Sequence, residues 1–107
     1  MIVITGSESF VGRELIKQLI EEKKEVIGID LVNEKSQNYK YVKMDICSNH
    51  ITDIIPNNPE AIIHLAALSS DLACRGKAYE CFNINVMGTL NLMNIAMKKN
   101  VKQFIFA

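Results

Sequence analysis

Residues Ile2 to Gly12 read I-V-I-T-G-S-E-S-F-V-G. Ile2 to Thr5 are apolar or β-branched and predict a short buried strand. Gly6 follows at once, then three small or polar residues. From Phe10 the period changes, because Val11, Leu15, Ile16, Leu19 and Ile20 recur at helical spacing. A strand that turns through glycine into a helix aims backbone N–H groups at one spot, at the positive end of the helix dipole. Such a spot suits a phosphate. The three-glycine dinucleotide pattern is two-thirds met: Gly6 takes the first place and Gly12 the last, while Ser9 stands in the middle. A serine there is small and can donate a hydrogen bond, but its side chain takes up room. A plain strand-turn-helix corner, with glycines for packing alone, is the competing interpretation.

The rest of the chain alternates in the same way. A first helix is predicted over Phe10 to Lys23 and a second strand over Glu25 to Asp30. Asp30 lies 18 residues beyond Gly12, where a dinucleotide fold places the acid that binds the adenosine ribose hydroxyls and repels a 2′-phosphate. It could instead cap a loop. Lys40 to Met44 predicts a third strand, closed by Asp45 and Ile46. Ser48 can cap a short helix to about Ile55. Ala61 to Leu65 predicts a fourth strand, buried on both faces. Ala66 to Gly76 reads as a loop and Lys77 to Lys99 as a long helix, with Phe82, Val86, Thr89, Leu90, Met93, Ala96 and Met97 on one apolar face. Asn100 offers a left-handed stop. Val101 to Ala107 predicts a fifth strand. This alternation gives an α/β, Rossmann-type doubly wound parallel sheet of five strands in the order 3-2-1-4-5.

Length and composition set bounds. A chain of 107 residues predicts one domain, and 49% hydrophobic residues suffice for a core. Twelve basic residues balance twelve acidic ones, which gives no footprint for nucleic acid or an anionic membrane. No apolar run approaches the roughly 18 residues of a membrane span, and a first strand at the start of the sequence predicts no signal peptide. Cys47, Cys74 and Cys81 lack metal-ligand spacing, so no metal is expected. They predict free thiols in a reducing cytoplasm.

Four stretches together resemble the extended short-chain dehydrogenase/reductases of the NAD-dependent epimerase/dehydratase family, the nucleotide-sugar enzymes. They are T-G-S-E-S-F-V-G from Thr5, I-I-H-L-A-A from Ile62 to Ala67, N-V-M-G-T-L-N-L from Asn85 to Leu92, and V-K-Q-F-I-F from Val101 to Phe106. They occur in the family's order and cover essentially the whole chain. The resemblance implies NAD as cofactor. It assigns Gly6, Phe10, Val11 and Gly12, with Ser9 between them, to the pyrophosphate turn, and Asp30 to the adenosine ribose. Asp45 and Ile46 match the pair that meets adenine. Leu65, Ala66 and Ala67 match the strip along the nicotinamide-side ribose and phosphate, and Asn85 the asparagine that supports the active side of the sheet.

The family's catalytic serine and Tyr-x-x-x-Lys pair fall beyond the matched region. Tyr39 to Lys43 has that spacing but lies at the third strand, on the adenine side, and reads as a decoy. No catalytic residue is therefore assigned. The chain is expected to be the truncated, N-terminal NAD-binding portion of a larger epimerase- or dehydratase-type oxidoreductase, inactive alone, with a nucleotide sugar bound only by a full-length parent. A free-standing NAD-binding module or sensor is one alternative. An S-adenosylmethionine-binding Rossmann-like protein is another. His64 is expected to be a satisfied core or strand-end histidine, Ser69 and Ser70 solvated loop serines, and Cys81 and the methionines core. The apolar fifth strand, and the helices, predict a homo-oligomer.

Overall fold

The computed structural model describes residues 1–33, 38–66 and 75–107. Ala67, Ser69, Ser70 and Cys74 lie outside them. Strands β1 (Ile2–Thr5), β2 (Val26–Asp30), β3 (Lys40–Lys43), β4 (Ala61–His64) and β5 (Gln103–Phe106) form one parallel sheet in the order β3-β2-β1-β4-β5. The expected strand order holds. β1 is central because Ile2, Val3 and Ile4 are apolar and the Thr5 hydroxyl is hydrogen-bonded, so it can be covered on both faces; Ile2 to Thr5 are all buried.

Alternate side chains divide between two cores. Val3, Ile27, Ile29 and Ile62 point to one face, where Ile51 and Ile55 meet them from helix α2 (Ile51–Ile54) and its end. Leu92 and Ile95 join them from helix α4 (Gly88–Lys98). Ile2, Ile4, Val26 and Ala61 point to the other face, against Ile16 of helix α1 (Phe10–Glu21). Helix α1 ends on Lys23 at φ 62° and α4 on Asn100 at φ 56°, two left-handed stops made without glycine.

The helix leading into α4 departs from simple expectation. It begins as α3 (Ala78–Phe82), widens to a π-helical turn over Asn83–Met87 and resumes as α4. The face proposed as its core side is mostly outside. Phe82, Val86, Leu90, Met93 and Met97 are exposed, whereas Gly88, Thr89, Leu92, Ile95 and Ala96 are buried. The helix carries two apolar stripes, and the sheet takes the one containing Gly88, where the Ile46 side chain packs so closely that a Cβ would sit 2.5 Å from its Cδ1. Methionines 87, 93 and 97 are correspondingly surface residues. The thiol expectation is also corrected at Cys81, which is disulfide-bonded, while Cys47 is free. Sequence spacing does not reveal which Cβ atoms a fold brings within bonding reach. Among the described residues, no helix is long and apolar enough to cross a membrane, and no cluster of ligating side chains could hold a metal ion.

Candidate functional site

The turn after β1 is held by its own residues. Gly6 has φ +71°, and a Cβ there would lie 2.8 Å from the Ala66 nitrogen, so only glycine lets β1 and β4 close at this level. Gly12 faces the Gly6 carbonyl so tightly that a Cβ would overlap it. Ser9 is the N-cap of α1: its Oγ accepts from the Gly12 N–H at 3.1 Å and donates to the Gly6 carbonyl at 2.7 Å. The serine in the glycine position thus ties the turn together. The N–H groups of Phe10 and Val11 stand in the first turn, where no intrahelical acceptor exists. Their side chains are largely exposed, so these residues present backbone to whatever approaches.

Asp30 ends β2 directly beside this turn. Its Oδ2 accepts from the Glu8 N–H at 2.9 Å and its Oδ1 from the Leu31 N–H at 2.7 Å. The carboxylate does cap loops, as one interpretation supposed, and each oxygen keeps a lone pair for another donor. Asp45 closes an Asx-type turn by accepting from the Cys47 N–H at 2.8 Å. The Ile46 side chain packs on Gly88, where a Cβ would sit 2.5 Å from its Cδ1, and the Asn91 amide donates to the Ile46 carbonyl at 2.7 Å. Burial raises the pKa of the neighbouring Cys47 thiol, which keeps it protonated.

These pieces converge on a cleft of about 160 Å³ at the carboxyl ends of the strands. Gly6, Ser9, Asp30, Asp45, Ile46, Leu65 and Ala66 line it, joined by Ile29, Leu31, Met44 and Ile84. Of the other residues singled out in the sequence, Phe10, Val11 and Gly12 form the adjoining helix start. Asn85 stands in the π-helical turn, half-buried, its carbonyl accepting from Thr89 Oγ1 at 2.9 Å. Ala67 lies outside the described residues.

His64 is fully satisfied, as expected: Nδ1 lies 2.7 Å from Thr5 Oγ1 and Nε2 2.7 Å from Thr89 Oγ1. Tyr39 and Lys43 serve separate purposes. The Tyr39 phenol donates to Glu8, and burial together with that carboxylate drives its pKa well above the ordinary phenol value. Lys43 bonds Asn33 at 2.8 Å. Sequence reasoning missed Glu8, Gly28 and Gly88. Gly28 passes under Ser7 and the Tyr39 ring, where a Cβ would lie 2.7 Å from the Ser7 Cβ.

The fold and the cleft define a Rossmann-type α/β domain with its opening at the topological switch beside β1. The chain belongs to the NAD dependent epimerase/dehydratase family, matched over residues 2–107. It is 28% identical to UDP-glucuronate 4-epimerase of Thermodesulfobacterium geofontis, over 98% of this chain and 38% of that protein. It is 31% identical to dTDP-glucose 4,6-dehydratase of Haemophilus influenzae, over 89% of this chain and 32% of that protein. Its backbone is similar to the crystal structure of UDP-glucose 4-epimerase from Thermotoga maritima with UDP-glucose. There the TM-score is 0.89 and the identity 28%, over 98% of this chain and 36% of that one. The chain therefore spans about a third of the length of these relatives.

Proposed function

We propose that the cleft binds NAD and that the chain is the NAD(H)-binding portion of a nucleotide-sugar epimerase or dehydratase. One observation carries this reading: residues from Gly6 to Ala66, drawn from the ends of four strands, line a single opening at the switch point. In this reading Asp30 accepts from the adenosine ribose, Asp45 and Ile46 border adenine, and the Gly6–Gly12 turn offers N–H groups to the pyrophosphate. Leu65 and Ala66 run along the nicotinamide-side ribose, and Asn85 supports that side. The volume is below the roughly 300–1,000 Å³ that encloses a whole small ligand. The enclosed part then takes only a portion of the dinucleotide, and the rest lies along open surface.

When bound, NAD supplies the redox chemistry. The contribution of these residues is to bind and orient it. The relatives' names motivate the substrate class, a nucleotide sugar, for a longer parent chain. Calorimetric titration with NAD, NADP and S-adenosylmethionine tests the reading. NAD is expected to bind best. Equal binding of NADP defeats the Asp30 assignment, and preference for S-adenosylmethionine defeats the cofactor.

A further inference from the structure

The Asp30 carboxylate does not stand alone at the end of β2. The Glu8 N–H donates to it at 2.9 Å, and the Glu8 side chain turns back under the loop, with only 6% of its surface exposed. There it accepts from the Tyr39 phenol and pairs with Arg13 Nη2 at 3.4 Å. Arg13 follows Gly12 on α1, far from Asp30 in sequence. Glu8 touches both, Asp30 through its backbone N–H and Arg13 through its side chain. An arginine beside the β2 acid is the group that accommodates a 2′-phosphate in dinucleotide folds, by a planar, two-pronged contact. Here that arginine is engaged by a carboxylate that is itself fixed by the half-buried Tyr39 phenol.

We propose that Glu8 is a second determinant of nucleotide choice, acting by holding the Arg13 guanidinium away from the position a 2′-phosphate would take. This rests on the reading that Asp30 meets the adenosine ribose. Asp30 then repels the phosphate directly, while Glu8 withholds the cation that could offset that repulsion. The Arg13 side chain is half exposed, at 54%, and reaches solvent once the pairing is lost. Tyr39 makes the arrangement durable: because its phenol stays protonated, it remains a donor to Glu8 across the whole neutral range.

Glu8→Gln keeps the shape and an oxygen for Tyr39 but removes the charge. Titration of NAD and NADP is expected to show NADP affinity rising roughly tenfold, the scale of one charge interaction near the surface, with NAD affinity held. Adding Arg13→Ala should abolish the gain. Arg13→Ala alone, an exposed change that leaves the fold intact, should leave NADP affinity as in the unaltered chain, since Glu8 already withholds the guanidinium. Unchanged NADP affinity in Glu8→Gln with NAD still bound overturns the proposal. So does a gain that survives Arg13→Ala, or a drop in NADP affinity on Arg13→Ala alone. An unaltered chain that binds neither nucleotide overturns the underlying reading, and this proposal with it.

Discussion

Thr5 Oγ1 lies 2.7 Å from His64 Nδ1, and the surrounding bonds fix who donates. The Thr5 oxygen already accepts from the Leu65 and Ala66 N–H groups, both at 3.2 Å, so its own proton goes to Nδ1. Nε2 therefore carries the ring proton and donates to Thr89 Oγ1, which donates in turn to the Asn85 carbonyl. The chain of bonds needs a neutral imidazole, because an imidazolium would set two donors against each other at Thr5.

Burial holds the His64 pKa below its ordinary value of 6.5. The unfolded chain then binds the proton more readily than the folded one. Stability is complete above about pH 6.5 and falls as pH drops toward the lowered folded value, by up to about 1.4 kcal/mol per pH unit crossed. Urea unfolding between pH 8 and pH 5, compared with His64→Asn, measures the effect. An identical pH slope in both proteins would defeat it.

Ser9 should matter more to the fold than to the ligand. Losing the cap in Ser9→Ala should cost about 1 kcal/mol, whereas Ser9→Gly should cost only a few tenths. Ser9→Gly also opens the middle glycine position, so NAD affinity should hold or rise. Thermal melts and calorimetry on both variants check this, and a clear affinity loss in Ser9→Gly would show that the hydroxyl itself is needed.

Gly28 should resist even one methyl group. A Cβ would meet both the Ser7 Cβ and the Tyr39 ring. Gly28→Ala is expected to destabilise by about 1–3 kcal/mol through overpacking. Because Ser7 and Glu8 are neighbours, it should also loosen the turn and weaken NAD. An unchanged melting temperature would refute the close approach.

The exposed stripe Tyr79, Phe82, Val86, Leu90, Met93 and Met97 runs at three- and four-residue intervals along one helix. Ile105 and Phe106 of the outermost strand are exposed as well. Contiguous apolar surface of this kind favours a two-fold dimer of the chain. Leu90→Lys with Met93→Lys should shift light scattering toward monomer if the helices pair, while Ile105→Lys should do so if the strands pair. A monomer in every case, at roughly millimolar concentration, excludes both.

Much of this molecule is readable from residue order. The period switches repeatedly between strand and helix, first at Phe10, and the inner strands β1, β2 and β4 are buried on both faces, so strand order and the cleft's location follow from elementary rules. Asp30 is legible because it ends the apolar run of β2, and Asp45 because it closes the third predicted strand. Periodicity could not decide which of two apolar stripes on the last helix faces the sheet. That choice was made by small residues, with Gly88 admitting Ile46. The π-helical turn has no residue signature. Nor could sequence show Glu8 bonded to both Arg13 and Asp30, because those contacts join a loop, a helix start and the end of β2, which share no repeat.

The central position of β1 also has a consequence in time. Thr5 waits for His64, 59 residues later, before its hydroxyl finds a partner. As the chain leaves the ribosome, β1 can pair with β2 early, but its other edge stays open until β4 emerges. Contacts of such long range slow folding and delay cooperativity. The Gly6 turn closes against Ala66 only in that late step. Affinity for a nucleotide should then arise abruptly with the completed sheet, rather than build up as the first strand, helix and second strand assemble.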